Sequence, residues 1–357
     1  MRRIDSRNFR KFINFVMSNF KEIIIIALVI IIIFSIPVIF GYLSNGSYEE
    51  ISKDNSNKID LIKGRELDID TSIVKVLIMD TGEVKSIPLE EYVEGVVSTE
   101  MPLSFEKEAL VAQGVLARTF VVSKMITPCT KAKEKGADIC DTVHCQVYKD
   151  LDERVSSTGS NKAKFKKKIK KAVNETKSKV LSYDGLLVRY PQYFAISSGK
   201  TENGSEIFGM DVPYLRSVIS NGEEDLPKSK TNVDISNSDF AYKVNSTYSN
   251  ARLSTSNLAS QVKILSRTEG GSVKQIQLGN VTIKGTEFRT LFSLNSANFN
   301  LDFSNKVSIT CKGYGHGVGM SQWGANAMAK DGKDYSEILK HYFTESSVVD
   351  IKNIMID

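Results

Sequence analysis

The chain has 357 residues, 41% apolar and 25% charged, a globular balance with room for more than one compact unit. Its formal net charge of +5 is modest and dispersed, which argues against nucleic acid as a partner. No RNP-type, zinc-finger or basic-zipper pattern is present, and the chain has no internal repeat.

Residues 1–22 form a short basic segment, with Arg2, Arg3, Arg7, Arg10, Lys11 and Lys21 against Asp5 and Glu22. Residues 23–42 read IIIIALVIIIIFSIPVIFGY, a run without a charge and long enough to span a bilayer as one helix. The basic flank predicts a cytoplasmic N-terminus, with everything after Tyr42 outside. A cleaved signal peptide would have a shorter apolar core and a small-residue cleavage site, so the expectation is a single-pass anchor in the cell membrane. Residues 43–71 are polar and poor in large apolar groups, the composition of a spacer.

Order is predicted over residues 72–357. SIVKVLIMDTGEVKSIPL alternates around Asp80-Thr81-Gly82, the pattern of a hairpin. In the helix that follows, Tyr92, Val93, Val96 and Val97 share one face, and Glu100 falls three and four residues past the last two. Pro102 disfavours helical geometry at Met101, so the helix ends near Glu100. A carboxyl held at the end of a buried stripe resists ionisation, which suits a general acid; the bland alternative is a helix-end glutamate turned to solvent.

SFEKEALVAQGVLARTFVVSKM predicts a longer helix with Ser104 as N-cap and a stripe of Leu110, Gly114, Ala117 and Val121. Arg118 shares a stripe with Val111, Gly114 and Val115, so it either snorkels to solvent or grips a ligand in a pocket. Residues 161–180 place Phe165, Ile169, Val173 and Thr176 at helical spacing among lysines, which read as a solvated face. Residues 221–260, rich in Ser, Asn and Lys, read as a lower-order insertion. RTEGGSVKQIQLGNVTIKGTEF returns to strands with glycine turns, and SEILKHYF is a short amphipathic helix. Helices and strands mix without regular βα alternation, so the fold class expected is α+β.

Three constellations remain. QYFAISSGKTENGSEIFG sets Ser197, Ser198, Lys200, Thr201 and Glu202 around glycines, as a surface loop or a sugar-binding loop would. CKGYGHGVGMSQWGANAM alternates Gly313, Gly315, Gly317 and Gly319 with Tyr314, His316 and Val318, and holds the single tryptophan. It meets neither G-x-G-x-x-G nor G-x-S-x-G, and fits an aromatic and histidine wall of a carbohydrate groove. Cys129, Cys140, His144 and Cys145 have the donors of tetrahedral zinc. An even cysteine count outside the cytoplasm equally suits disulfides Cys129–Cys140 and Cys145–Cys311.

LEEYVEGVVSTEMPLSFEKEALVAQGVLARTF, GADICDTVHCQVY, VLSYDGLLV, YFAISSGKTEN and YGHGVGMSQWGA together resemble the stage II sporulation protein D family. These are membrane-anchored lytic transglycosylases of endospore-forming bacteria. The resemblance implies cleavage of the MurNAc–GlcNAc bond in peptidoglycan strands stripped of stem peptides by an amidase. It also implies partners among that amidase and other engulfment proteins, at the mother-cell membrane. By the same resemblance Glu100 is the acid, and Arg118, Ser197, Ser198, Lys200, Thr201, Glu202, Tyr314, His316 and Gln322 meet substrate. A structural zinc would take Cys140, His144 and Cys145, with Cys129 as fourth ligand or, second, Glu134 where a histidine is common. One carboxyl suffices for this chemistry, because the sugar's own C6 hydroxyl attacks C1; ordinary glycosidases use two. A glycan binder that activates an amidase would need the polar loops without Glu100, and a zinc amidase is disfavoured by thiolate-rich ligation.

Overall fold

The computed structural model describes residues 64–356; the basic segment, the 23–42 span and residues 43–63 lie outside them. Lys63–Asp357 is one compact unit in which helices and sheets mix, the α+β class the sequence implies. Its ordered chain starts ahead of Ser72, because Arg65–Glu66 already pairs antiparallel with Met355–Ile356.

Ile73–Ile78 and Glu83–Pro88 form the expected hairpin, and Ile139–Cys140 joins the outer edge of Ile73–Ile78 in parallel. Alternation works as a strand requires: Val74 and Val76 are fully buried while Ile73 and Lys75 face out. The helix Leu89–Glu100 starts directly behind Pro88. Tyr92, Val93, Val96 and Val97 are all fully buried, as their shared face predicts. Met101 turns extended ahead of Pro102 and ends the helix.

The helix Lys107–Ile126 is the centre of the larger core, buried on nearly every side from Ala109 to Ser123. It packs against the helices Leu89–Glu100, Lys162–Glu175, Gln322–Lys330 and Tyr335–Tyr342, and against the strand Lys179–Tyr183. Among the described residues it is the helix long and apolar enough to cross a membrane, but protein covers its sides. Ser104 is not its cap: Glu106 holds that position, and its N–H donates to Asn326 Oδ1 at 2.7 Å. In the lysine-rich helix Lys162–Glu175, Ile169, Ala172 and Val173 face inward. Its lysines are largely solvated except Lys168, which donates to the carbonyls of Leu103 and Phe105.

Residues 230–312 build a second core between two three-stranded antiparallel sheets, filled by Phe240, Phe288, Phe292 and Phe299. The segment 221–260 is therefore no loose insertion. Lys230–Ser236 pairs along its whole length with Lys306–Lys312, and Asn237–Thr247 buries Phe240, Ala241 and Val244. Its polar residues are the outward half of a strand and the caps of a helix; Ser236 Oγ accepts the Asp239 N–H at 3.0 Å.

Candidate active site

Glu100 is the last residue of its helix, and the Val147 N–H donates to its Oε1 at 2.8 Å. Burial raises its pKa above 4.5, opposed by that N–H and by the neighbouring Tyr193 hydroxyl. The Tyr193 hydroxyl is itself buried and lies beside the carboxylate without a well-formed hydrogen bond. A carboxyl whose pKa burial raises is better suited than an exposed one to protonate a leaving oxygen.

Glu100 opens into a cleft of about 660 Å³, lined also by Lys124, Val147, Arg189, Tyr190, Tyr193, Phe208, Arg289 and His316. Among the described residues it is the one carboxylate in that lining, facing three cations, Lys124, Arg189 and Arg289. His316 lies against Phe194 and Phe208, with ring centroids at 5.8 and 5.2 Å, and its Nδ1 accepts the Val318 N–H at 3.1 Å. Burial and the nearby Arg289 push its pKa down to about 4, so the imidazole is neutral at neutral pH.

The two polar segments meet here. Tyr193–Phe194 pairs in parallel with Met320–Ser321, and single bridges join Ile196 to Tyr314 and Glu202 to Val318. The glycines permit that contact. Gly315, at φ 123°, would place a Cβ 2.7 Å from the Phe194 Cβ, and at Gly319, φ 76°, a Cβ would collide with the Gln192 carbonyl.

Of the expected substrate residues, His316 alone joins Glu100 in the cleft. Ser198, Lys200, Glu202 and Tyr314 line a narrow adjoining crevice that shares Phe194, Gly315 and His316 with it. Ser198 accepts from Asn298 at 3.0 Å, Lys200 pairs with Glu269 at 2.6 Å, and the Lys228 ammonium sits 5.5 Å above the Tyr314 ring. Glu202 is buried, with Oε1 accepting the Ser272 N–H at 3.0 Å and Oε2 without a partner among the described residues. Ser197 is buried too, its N–H held by Glu223 at 2.8 Å. Thr201 is wholly interior and accepts the Val218 N–H at 2.9 Å.

Arg118 and Gln322 correct the expectation. Arg118 is fully buried and clamps Glu90, Nε to Oε1 at 3.0 Å and Nη2 to Oε2 at 2.5 Å. It also donates to the Lys179 carbonyl at 3.0 Å. With its donors taken up inside the protein it offers none to a ligand. Gln322 is buried between helices, where its Nε2 donates to Gln113 Oε1 at 3.5 Å.

The donor atoms of Cys129, Cys140, His144 and Cys145 all lie within 4.8 Å of one another. His144 Nδ1 stands 3.6 Å from Cys140 Sγ and 3.4 Å from Cys145 Sγ. Tetrahedral zinc with its usual bond lengths separates such ligands by about 3.5 Å. The set therefore fits a metal ion, with Cys129 and not Glu134 as fourth donor. All four cysteines are free, and Cys311 is buried in the second core, so neither expected disulfide forms. Sequence reasoning missed Val147, Tyr193, Phe208 and Arg289; the first three lie inside segments already singled out, and Arg289 directly follows one.

Residues 79–183, which contain Glu100, Arg118 and the metal-ligand cluster, match the SpoIID family model, described as Stage II sporulation protein. Over 284 residues the chain is 38% identical to stage II sporulation protein D of Bacillus amyloliquefaciens, covering 79% of this chain and 80% of that one. The chain belongs to the stage II sporulation protein D family. The family member of the same name from Bacillus subtilis (strain 168) is 37% identical over 266 residues, 74% of this chain and 75% of that one. This SpoIID-family chain is also 31% identical, over 301 residues, to a Bacillus subtilis protein named amidase enhancer, covering 70% of this chain and 39% of that one.

Proposed function

We propose that the chain is a peptidoglycan lytic transglycosylase of sporulation, anchored by residues 23–42 with its catalytic unit outside the cell membrane. The observation that carries this reading is Glu100 as the single carboxylate of its cleft. Glu100, its pKa raised by burial, gives its proton to the glycosidic oxygen of a MurNAc–GlcNAc bond. The resulting carboxylate then accepts the proton of the same sugar's C6 hydroxyl as that oxygen closes on C1. The nucleophile is intramolecular, so no second carboxyl is needed to activate water. Glu202, a carboxylate of the adjoining crevice, is buried against Ser272 outside this cleft.

A neutral imidazole and aromatic rings beside three cations suit an anionic sugar strand, hence strands stripped of stem peptides by an amidase. Three thiolates and one imidazole make a closed donor set, which favours structural zinc over a catalytic metal. Bound there, the ion would fix the turn from which Val147 reaches Glu100. The similarity to a protein named amidase enhancer supports a second reading, a glycan-binding activator of an amidase.

The test is a digest of peptide-stripped strands by wild type and Glu100→Gln, with products read by mass spectrometry. Anhydro ends from wild type alone are expected. Reducing ends would mean hydrolysis, and binding without cleavage would favour the activator.

A further inference from the structure

The cations of the Glu100 cleft differ in how they are held. Arg289 sits near the end of the helix Gly285–Leu291, which Phe288 anchors in the second core. It is half-buried, and burial presses its pKa down, a sign of desolvated charge. Its Nε donates to the Leu294 carbonyl at 3.2 Å, while its terminal nitrogens meet no acceptor among the described residues. Lys124 across the lining also has no carboxylate partner among the described residues, its ammonium lying 5.3 Å above the Phe120 ring. A guanidinium stays charged, and its planar fork matches the two oxygens of a carboxylate. Glu100, the cleft's own carboxylate, does not pair with it.

We propose that Arg289 binds the free lactyl carboxylate of a muramic acid residue and thereby selects strands that have lost their stem peptides. The inference rests on the proposed substrate and deepens it. Where a stem peptide is attached, the lactyl group ends in an amide. That amide has neither the charge nor the paired oxygens that the fork requires. Arg289 would then enforce the order of two reactions: amide hydrolysis must expose the carboxylate before the strand is held for cleavage.

Binding is measured with the full-length protein carrying Glu100→Gln, so that no turnover intervenes. The probes are peptide-stripped strands and the same strands with their lactyl carboxylates converted to methylamides. The parent should prefer the free acid by about tenfold or more, the scale of one charge-assisted contact. Adding Arg289→Ala should weaken binding of the free acid, leave the methylamide strand unaffected and so erase the preference. Arg289→Lys should keep part of it. A preference that survives Arg289→Ala, or equal weakening of both strands at an unchanged melting temperature, overturns the assignment. So does a parent that binds both strands equally. A parent that binds neither removes the glycan substrate itself, a separate failure of the function proposed above that takes this assignment with it.

Discussion

The amide of Val147 donates to the carboxylate of Glu100 at 2.8 Å, tying a helix end to a turn 47 residues further along the chain. That turn follows His144 and Cys145 directly, so the placement of the acid and the integrity of the cysteine cluster are linked through three residues of backbone.

Glu100→Gln is expected to stabilise the protein at neutral pH. The folded-state pKa is raised above 4.5 by burial, so folding prefers the protonated form. Below the unfolded value both states are protonated and wild type matches the variant. As pH rises through the unfolded value towards the folded one, wild type loses stability, because the unfolded chain ionises first. Thermal melts of both proteins from acid to neutral pH should therefore coincide at low pH and diverge upward. Parallel curves would mean that the carboxyl is not desolvated.

Arg118→Ala should cost about 3 kcal/mol in chemical denaturation, because it strands Glu90 and removes the guanidinium donor to the Lys179 carbonyl. Arg118→Lys should rescue little, since an ammonium cannot span both carboxylate oxygens in this geometry. A variant of unchanged stability with weakened glycan binding would contradict the buried clamp.

Metal removal should unlatch the turn. Chelation of metal-loaded protein is expected to lower the melting temperature and to make Cys129, Cys140 and Cys145 reactive to a thiol reagent, leaving Cys311 protected until unfolding. Cys129→Ala should reduce the bound metal, whereas Glu134→Ala should leave one equivalent. Metal content by elemental analysis, with thiol counting, separates these outcomes.

Gly319→Ala should cost about 2–4 kcal/mol, adding left-handed backbone strain to a collision with the Gln192 carbonyl. Gly82→Ala, with the same sign of φ but open space around it, should cost only about 1 kcal/mol. Paired denaturation curves measure the difference, and equal losses would show that the close approach matters little.

Local features were legible in the sequence. The spacing of Tyr92, Val93, Val96 and Val97 and the stop at Pro102 put Glu100 at the end of a buried stripe, where it stands. Long-range partners were not. Arg118 looked like a pocket ligand because its partner Glu90 lies 28 residues away on another helix, and no periodicity links the two. Segment 221–260 looked loose because its composition averages the two faces of Lys230–Ser236, only one of which is turned inward. Arg289 carried no local signal, since its role depends on a helix of the second core meeting the Glu100 cleft.

The parallel pairing of Tyr193–Phe194 with Met320–Ser321 has a consequence for the timing of synthesis. A chain is made from its N-terminus, and Glu100 emerges long before the wall that faces it. Tyr193 and Phe194 cannot close against their partners until residue 321 of 357 has been made. A nascent or truncated chain thus carries Glu100 without the cleft wall that Tyr193 and Phe194 contribute. On the function proposed above, cleavage would in this way begin only after residue 321 has been delivered.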